Sequence, residues 1–199
     1  MERGAREKSR SPDEDRIRLW TIQSERAWEV LQRDGVLRAD GRYSDSGFRT
    51  AYRWMIAEMT KRVPGYSGRF PLWAWHTPKP DLRHTAHVPR GQCAVRIECL
   101  LPRAEVLLSD FDGWHFVLNR LPFTWTKRED DAWDQRLSLP YQLLSSELRS
   151  EVERSWERAF ELRRPRGSRA WLGNLDAIQA TFAELRMEDV VRVTPFVGR

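Results

Sequence analysis

Cys93-Ala94-Val95-Arg96-Ile97-Glu98-Cys99-Leu100-Leu101 is the stretch that decides the fold. Cys93, Val95, Ile97, Cys99 and Leu101 alternate with Ala94, Arg96, Glu98 and Leu100, the period of a strand with one buried and one partly polar face. Pro102 breaks it, and Glu105–Leu108 reads as a second short strand. Ser109-Asp110-Phe111-Asp112-Gly113 reads as a turn leading into Trp114–Asn119. Upstream, Phe70–His76 reads as a strand, and a proline-punctuated loop follows from Thr77 to Gly91. That strand places Trp73 and Trp75 on one face. Such a face serves equally as a platform for a flat ligand and as a wall of the core.

Further out, Ile17–Ile22 opens the ordered chain as a strand, and Ser24 sits where a helix N-cap belongs. Ala27, Trp28, Val30 and Leu31 give the helix after it an apolar face, stopped by Asp34-Gly35. Phe48, Ala51, Tyr52, Met55, Ile56 and Met59 form one stripe at helical period across Gly47–Arg62, which is a core stripe. Residues 121–140 read as a long irregular stretch holding Trp125 and Trp133. A helix over Ser145–Arg163 follows, with Leu148, Val152, Trp156 and Phe160 at four-residue spacing, stopped near Pro165 and Gly167. Strands at Ile178–Leu185 and Val190–Val193 close the chain.

Strands and helices do not alternate regularly, which disfavours a doubly wound parallel sheet. The expected architecture is a single α+β domain over residues 16–199, a mixed or antiparallel sheet flanked by three main helices. Residues 1–15, rich in charge and without apolar period, read as a disordered tail. No Gly-x-Gly-x-x-Gly or Walker-type loop occurs, which disfavours the common mononucleotide and dinucleotide folds.

Bulk properties narrow the setting. Hydrophobic residues make up 40% and charged residues 32%, a balance suited to a water-facing globular chain. No run approaches the roughly 18 apolar residues of a membrane span, and the N-terminus has no apolar segment, so the expectation is a cytoplasmic protein without membrane contact. Cys93 and Cys99 lie roughly 20 Å apart along one strand, too far for a mutual disulfide, and read as reduced core thiols. The net charge of +5, carried mostly by arginine, favours a polyanionic partner, although 29 acidic residues are interspersed.

Three constellations carry candidate chemistry. His76, His84 and His87 have metal-ligand chemistry but no Cys-x-x-Cys or His-Glu-x-x-His beside them, and read as solvated histidines. Ser109 with Asp110, Asp112 and His115 holds the residue types of a nucleophilic site, without a Gly-x-Ser-x-Gly elbow. In Ile178-Gln179-Ala180-Thr181-Phe182-Ala183-Glu184, alternation puts Glu184 on the apolar face, where an acid is at a strand end, paired or functional.

The segments Leu19-Trp20-Thr21-Ile22-Gln23, Ala27–Leu37, Pro71–Trp75, Val106–His115 and Gln179–Phe182 resemble a bacterial domain-of-unknown-function family over about residues 17–197. At a coarser level the layout is similar to ADP-ribosyltransferase-like folds: a first strand and helix ending in a Gly-Leu-type turn, a middle strand with an aromatic, and a late strand presenting a glutamate. That resemblance implies NAD as cofactor and a nucleic acid or protein acceptor. It assigns Thr21 and Arg18 to the first strand, with Arg18 on the NAD phosphate. Trp73 and Trp75, beside His76, then stack the nicotinamide, and Glu184 or Gln179 assists glycosidic cleavage. This chain departs from the pattern. The usual first-strand histidine or arginine is replaced or displaced, the middle tyrosine is a tryptophan, and the late acid falls at or near Gln179. The alternative is a non-enzymatic module that binds a nucleotide or single-stranded nucleic acid.

Overall fold

The computed structural model describes residues 15–83, 87–163 and 177–199. The chain runs β1 (Arg16–Ser24), α1 (Glu25–Asp34), β2 (Val36–Arg38), α2 (Arg49–Arg62), β3 (Leu72–Thr77), β4 (Cys93–Pro102) and β5 (Leu107–Asp110). It continues through α3 (Phe111–Asn119), α4 (Lys127–Arg136), α5 (Ser146–Trp156), β6 (Ile178–Phe182), β7 (Glu184–Arg186) and β8 (Val190–Val197). The result is a single α+β domain. The tail at 1–15 and the helix stop at Pro165 and Gly167 lie outside the described residues, apart from Asp15.

The local signals act as their chemistry dictates. Ser24 accepts a hydrogen bond from the Ala27 amide at 3.2 Å, capping α1. Gly35 takes the left-handed conformation, φ 72°, and returns its N–H to Leu31.

Six strands form one sheet in the order β5-β6-β3-β1-β4-β8, and every recorded pairing in it is antiparallel. β2 and β7 form a separate two-stranded ribbon. Residues opposite one another in register share a face. One face therefore carries Leu19, Ile97, Cys99, Ala74 and Ala180, which form a core with Leu31 of α1 and with Leu37 and Leu185 of the ribbon. The other carries Trp73 and Leu107, which join a second core under Met55 and Met59 of α2, Trp114 and Val117 of α3, and Val152 and Trp156 of α5. Each fully buried large side chain contributes roughly 1.5–3 kcal/mol, so the two cores together hold the sheet between its layers.

The three main helices expected are present as α1, α2 and α5, with α3 and α4 beside them among the described residues. Four sequence expectations need correction. Residues 109–113 are not a free turn: Ser109 and Asp110 end β5, and Asp110 caps α3 through the Gly113 amide at 2.9 Å. The stretch 121–140 contains α4, a helix whose polar sequence carries no buried residue. The run 178–185 is two strands in two sheets, with the break at Ala183. Cys93 is exposed, and only Cys99 of the two is a core thiol. Smaller shifts occur at ends: α2 begins after a 3-10 turn at Ser46–Phe48, and α5 passes into one at Glu157–Phe160.

Candidate functional site

β1, β3, β6 and β5 lie side by side, so Trp20, Trp75, Gln179 and Ser109 follow one another across the strands. Above Trp73, Trp75 and Gln179 opens a cleft of about 420 Å³. Its floor also includes Ile22 and Ser24 of β1. Tyr52 of α2 with Phe111, Trp114 and His115 of α3 form one wall. His87 and Val88, together with Gln92 and Cys93 at the head of β4, form the other.

The aromatic side is built as two contacting groups. Trp75 lies 4.8 Å from Phe111, centroid to centroid, and Phe111 meets His115 edge-on at 4.6 Å. Trp73 lies 4.8 Å from Trp114, and Tyr52 closes on both. Trp73 and Trp75 are half-buried and line the cleft, and Trp73 also packs against the second core. Burial raises the Tyr52 pKa, so its phenol stays neutral across the physiological range.

The polar groups are mostly engaged. His115 Nδ1 donates to the Phe111 carbonyl at 2.9 Å, and His87 Nε2 to the Asp81 carbonyl at 3.1 Å, since a carbonyl only accepts. Gln179 is one exception: it is 6% exposed and lines the cleft, and its amide nitrogen has no hydrogen-bond partner among the described residues. The fully buried Ser109 hydroxyl opposite it is likewise unpaired. An orphaned buried polar group costs about 1–3 kcal/mol, and such groups call for an explanation.

The residues named from the sequence separate into two sets. Trp73, Trp75 and Gln179 meet in the cleft. Thr21 sits directly beneath it: its hydroxyl donates to the Trp73 carbonyl at 2.8 Å and accepts from the Gln23 amide at 2.7 Å. Thr21 therefore positions the middle strand rather than lining the hollow. Arg18 is outside the lining set and ion-paired with Glu98. Burial opposes charge on Glu98, yet the hydrogen bond and charge of Arg18 outweigh it and hold that carboxyl below its usual pKa. His76 also stands outside, its Nδ1 3.2 Å from the Arg18 carbonyl. Glu184 lies on the β2–β7 ribbon, bound by Arg38 at 2.8 Å and Arg186 at 3.1 Å. Alternation failed to place it because β6 ends before it.

Sequence reasoning missed Tyr52, Phe111 and Trp114 as site residues. Tyr52 was visible only as a core stripe member, and the α3 pair was hidden by the turn reading of 109–113. Among the described residues no cluster of three or more His, Cys, Asp or Glu can hold a metal, and His84 lies outside them. No described helix is long and apolar enough to cross a membrane.

Fold and cleft together define an α+β protein with an aromatic hollow that no lysine, arginine, aspartate or glutamate lines among the described residues. A family model matches residues 18–191, and the chain belongs to that family, the domain of unknown function DUF3841. No curated protein and no solved structure matches it.

Proposed function

We propose that the cleft is a nucleotide-recognition site that takes the nicotinamide end of NAD and binds it without cleaving it. The observation that carries this reading is the unpaired, nine-tenths buried amide of Gln179 beside Trp75. A carboxamide offers the donor and acceptor that a glutamine amide complements. The oxidised nicotinamide ring is also flat and cationic, and electron-rich faces such as those of Trp75 and Trp73 attract such a ring. The fit covers the ring end. Among the described residues no cation lines the cleft for the diphosphate, and no carboxylate lines it to support an oxocarbenium-like transition state. Binding is therefore the better-supported activity, with Gln179 standing where a cleaving enzyme would need an acid.

Titration of NAD against tryptophan fluorescence tests this. Quenching is expected, and Trp75→Ala should weaken the response at least tenfold. Chromatography of the mixture should recover NAD with no free nicotinamide. An equal response to ADP-ribose, which lacks the ring, would overturn the reading, as would no response to NAD at all. Release of nicotinamide would overturn its non-cleaving half.

A further inference from the structure

A second hollow, of about 850 Å³, lies between α2 and α5 and shares no lining residue with the cleft. On α2 it is bordered by Thr50, Arg53, Trp54, Ala57, Glu58 and Lys61, recurring every three or four positions. This is a second stripe, turned away from the core stripe of Ala51, Met55 and Met59. It spans about 16 Å along the helix axis. Facing it, α5 presents Ser146, Arg149, Ser150 and Glu153 at the same spacing, flanked by Arg154.

The charges of this groove are unequal in what they are free to do. Its acids are engaged within the fold. Glu58, buried, accepts from Lys61 at 2.6 Å and Arg62 at 2.9 Å. Glu157 pairs with Arg62 at 3.6 Å, and Glu153 accepts the Tyr141 hydroxyl. Arg53, Arg149 and Arg154 make no ion pair among the described residues; Arg154 has only a long 3.4 Å bond to the Ser150 carbonyl. Three guanidiniums without an ion pair among the described residues, around one groove, favour an anionic occupant. Flat rings are interleaved with them. Trp54 stacks on Phe160 at 5.5 Å and Tyr141 on Trp156 at 5.7 Å, and both also border the groove.

We propose that the α2–α5 groove is a binding site for single-stranded nucleic acid. Arg53, Arg149 and Arg154 hold successive phosphates, and Trp54 and Tyr141 offer surfaces to the bases. Arginine forks suit phosphate, and base–aromatic stacking tolerates any sequence, so the site is expected to read chain chemistry rather than sequence. An elongated groove with spaced cations suits a chain of phosphates better than one compact anion. This proposal is independent of the NAD cleft.

The test is fluorescence anisotropy of the full chain with a labelled 12-nucleotide single strand. Neutralising three phosphates predicts affinity falling roughly twentyfold between 50 and 200 mM salt. Arg53→Glu/Arg149→Glu should weaken binding at least tenfold and flatten that dependence. Arg33→Glu, a charge reversal on exposed α1, should leave it nearly unchanged. Circular dichroism and the melting temperature check that the double variant folds. Should it fail to fold, the neutral pair Arg149→Gln/Arg154→Gln replaces it, with a smaller loss expected. No binding at 50 mM salt would overturn the proposal. So would equal losses in Arg33→Glu and the groove variant, or displacement by inorganic tripolyphosphate at matched phosphate concentration.

Discussion

Gln179 is where stability and recognition pull apart at the scale of a single residue. Its buried nitrogen has no partner among the described residues, so exchange for an apolar side chain of similar size removes a penalty. Gln179→Leu is expected to raise stability by about 1 kcal/mol in urea denaturation while weakening the NAD response at least tenfold. A variant that loses stability and binding together would mark Gln179 as a core residue only. The two cysteines divide as sharply. Burial pushes the Cys99 thiol up to about 12, whereas Cys93 is exposed on the cleft wall. Iodoacetamide at pH 8 should therefore modify one thiol per native chain, at Cys93 by peptide mass mapping, and two only after denaturation. Glu184 and Gln179 show how much of the site could be read in advance. Both lie on the late segment singled out from the sequence. Choosing between them required knowing that the strand stops at Phe182, and Ala183 carries no turn signal of its own.

At the scale of elements, α3 gives the clearest case of context overriding propensity. Gly113 sits in the first turn of a helix, and within helices alanine usually adds about 0.5–1 kcal/mol over glycine. A β-carbon there would come within 2.9 Å of the Phe123 ring and 3.1 Å of Ala159 Cα. Gly113→Ala is thus expected to destabilise by about 1–3 kcal/mol in a thermal or denaturant melt. Unchanged or increased stability would mean that the α3 packing yields easily. The same closeness explains why α3 was legible only in part: Asp110 and Gly113 are turn residues in composition, yet here one caps the helix and the other lets Phe123 and Ala159 approach. α4 was invisible for another reason. Lys127–Arg136 has no buried side chain, so it leaves no apolar period to detect. β1, β4, α1 and α2 were readable because each buries one face and carries a plain cap or period. α2 also shows the limit of such patterns, since the groove stripe runs beside the core stripe on the same helix and was masked by it.

For the whole molecule, the shifted acids set a pH range. Cys99 goes from 9.0 to about 12, and burial raises Tyr66 from 10.0 to about 12. Each folded value lies above the unfolded one, so the unfolded chain releases these protons first as pH rises. Their contribution is complete below about pH 9 and is lost progressively up to about pH 12. Melting temperature should therefore be insensitive to these groups at pH 7–9 and fall steeply above that range. Cys99→Ala should shift the onset of the decline upward, towards the tyrosine range; an unaltered onset would show that the thiol is not its source. The overall class was legible because strand and helix order exclude a doubly wound sheet. The pairing of β2 with β7 was not, because three-residue strands carry too little pattern.

A sheet with a separate interior on each side acts as a partition. An occupant of the hollow beside Trp75 presses on one compartment alone. Deuterium uptake should slow along α3 and β3 once the ring is seated, while α1, behind the partition, keeps the rate it has in the unliganded protein.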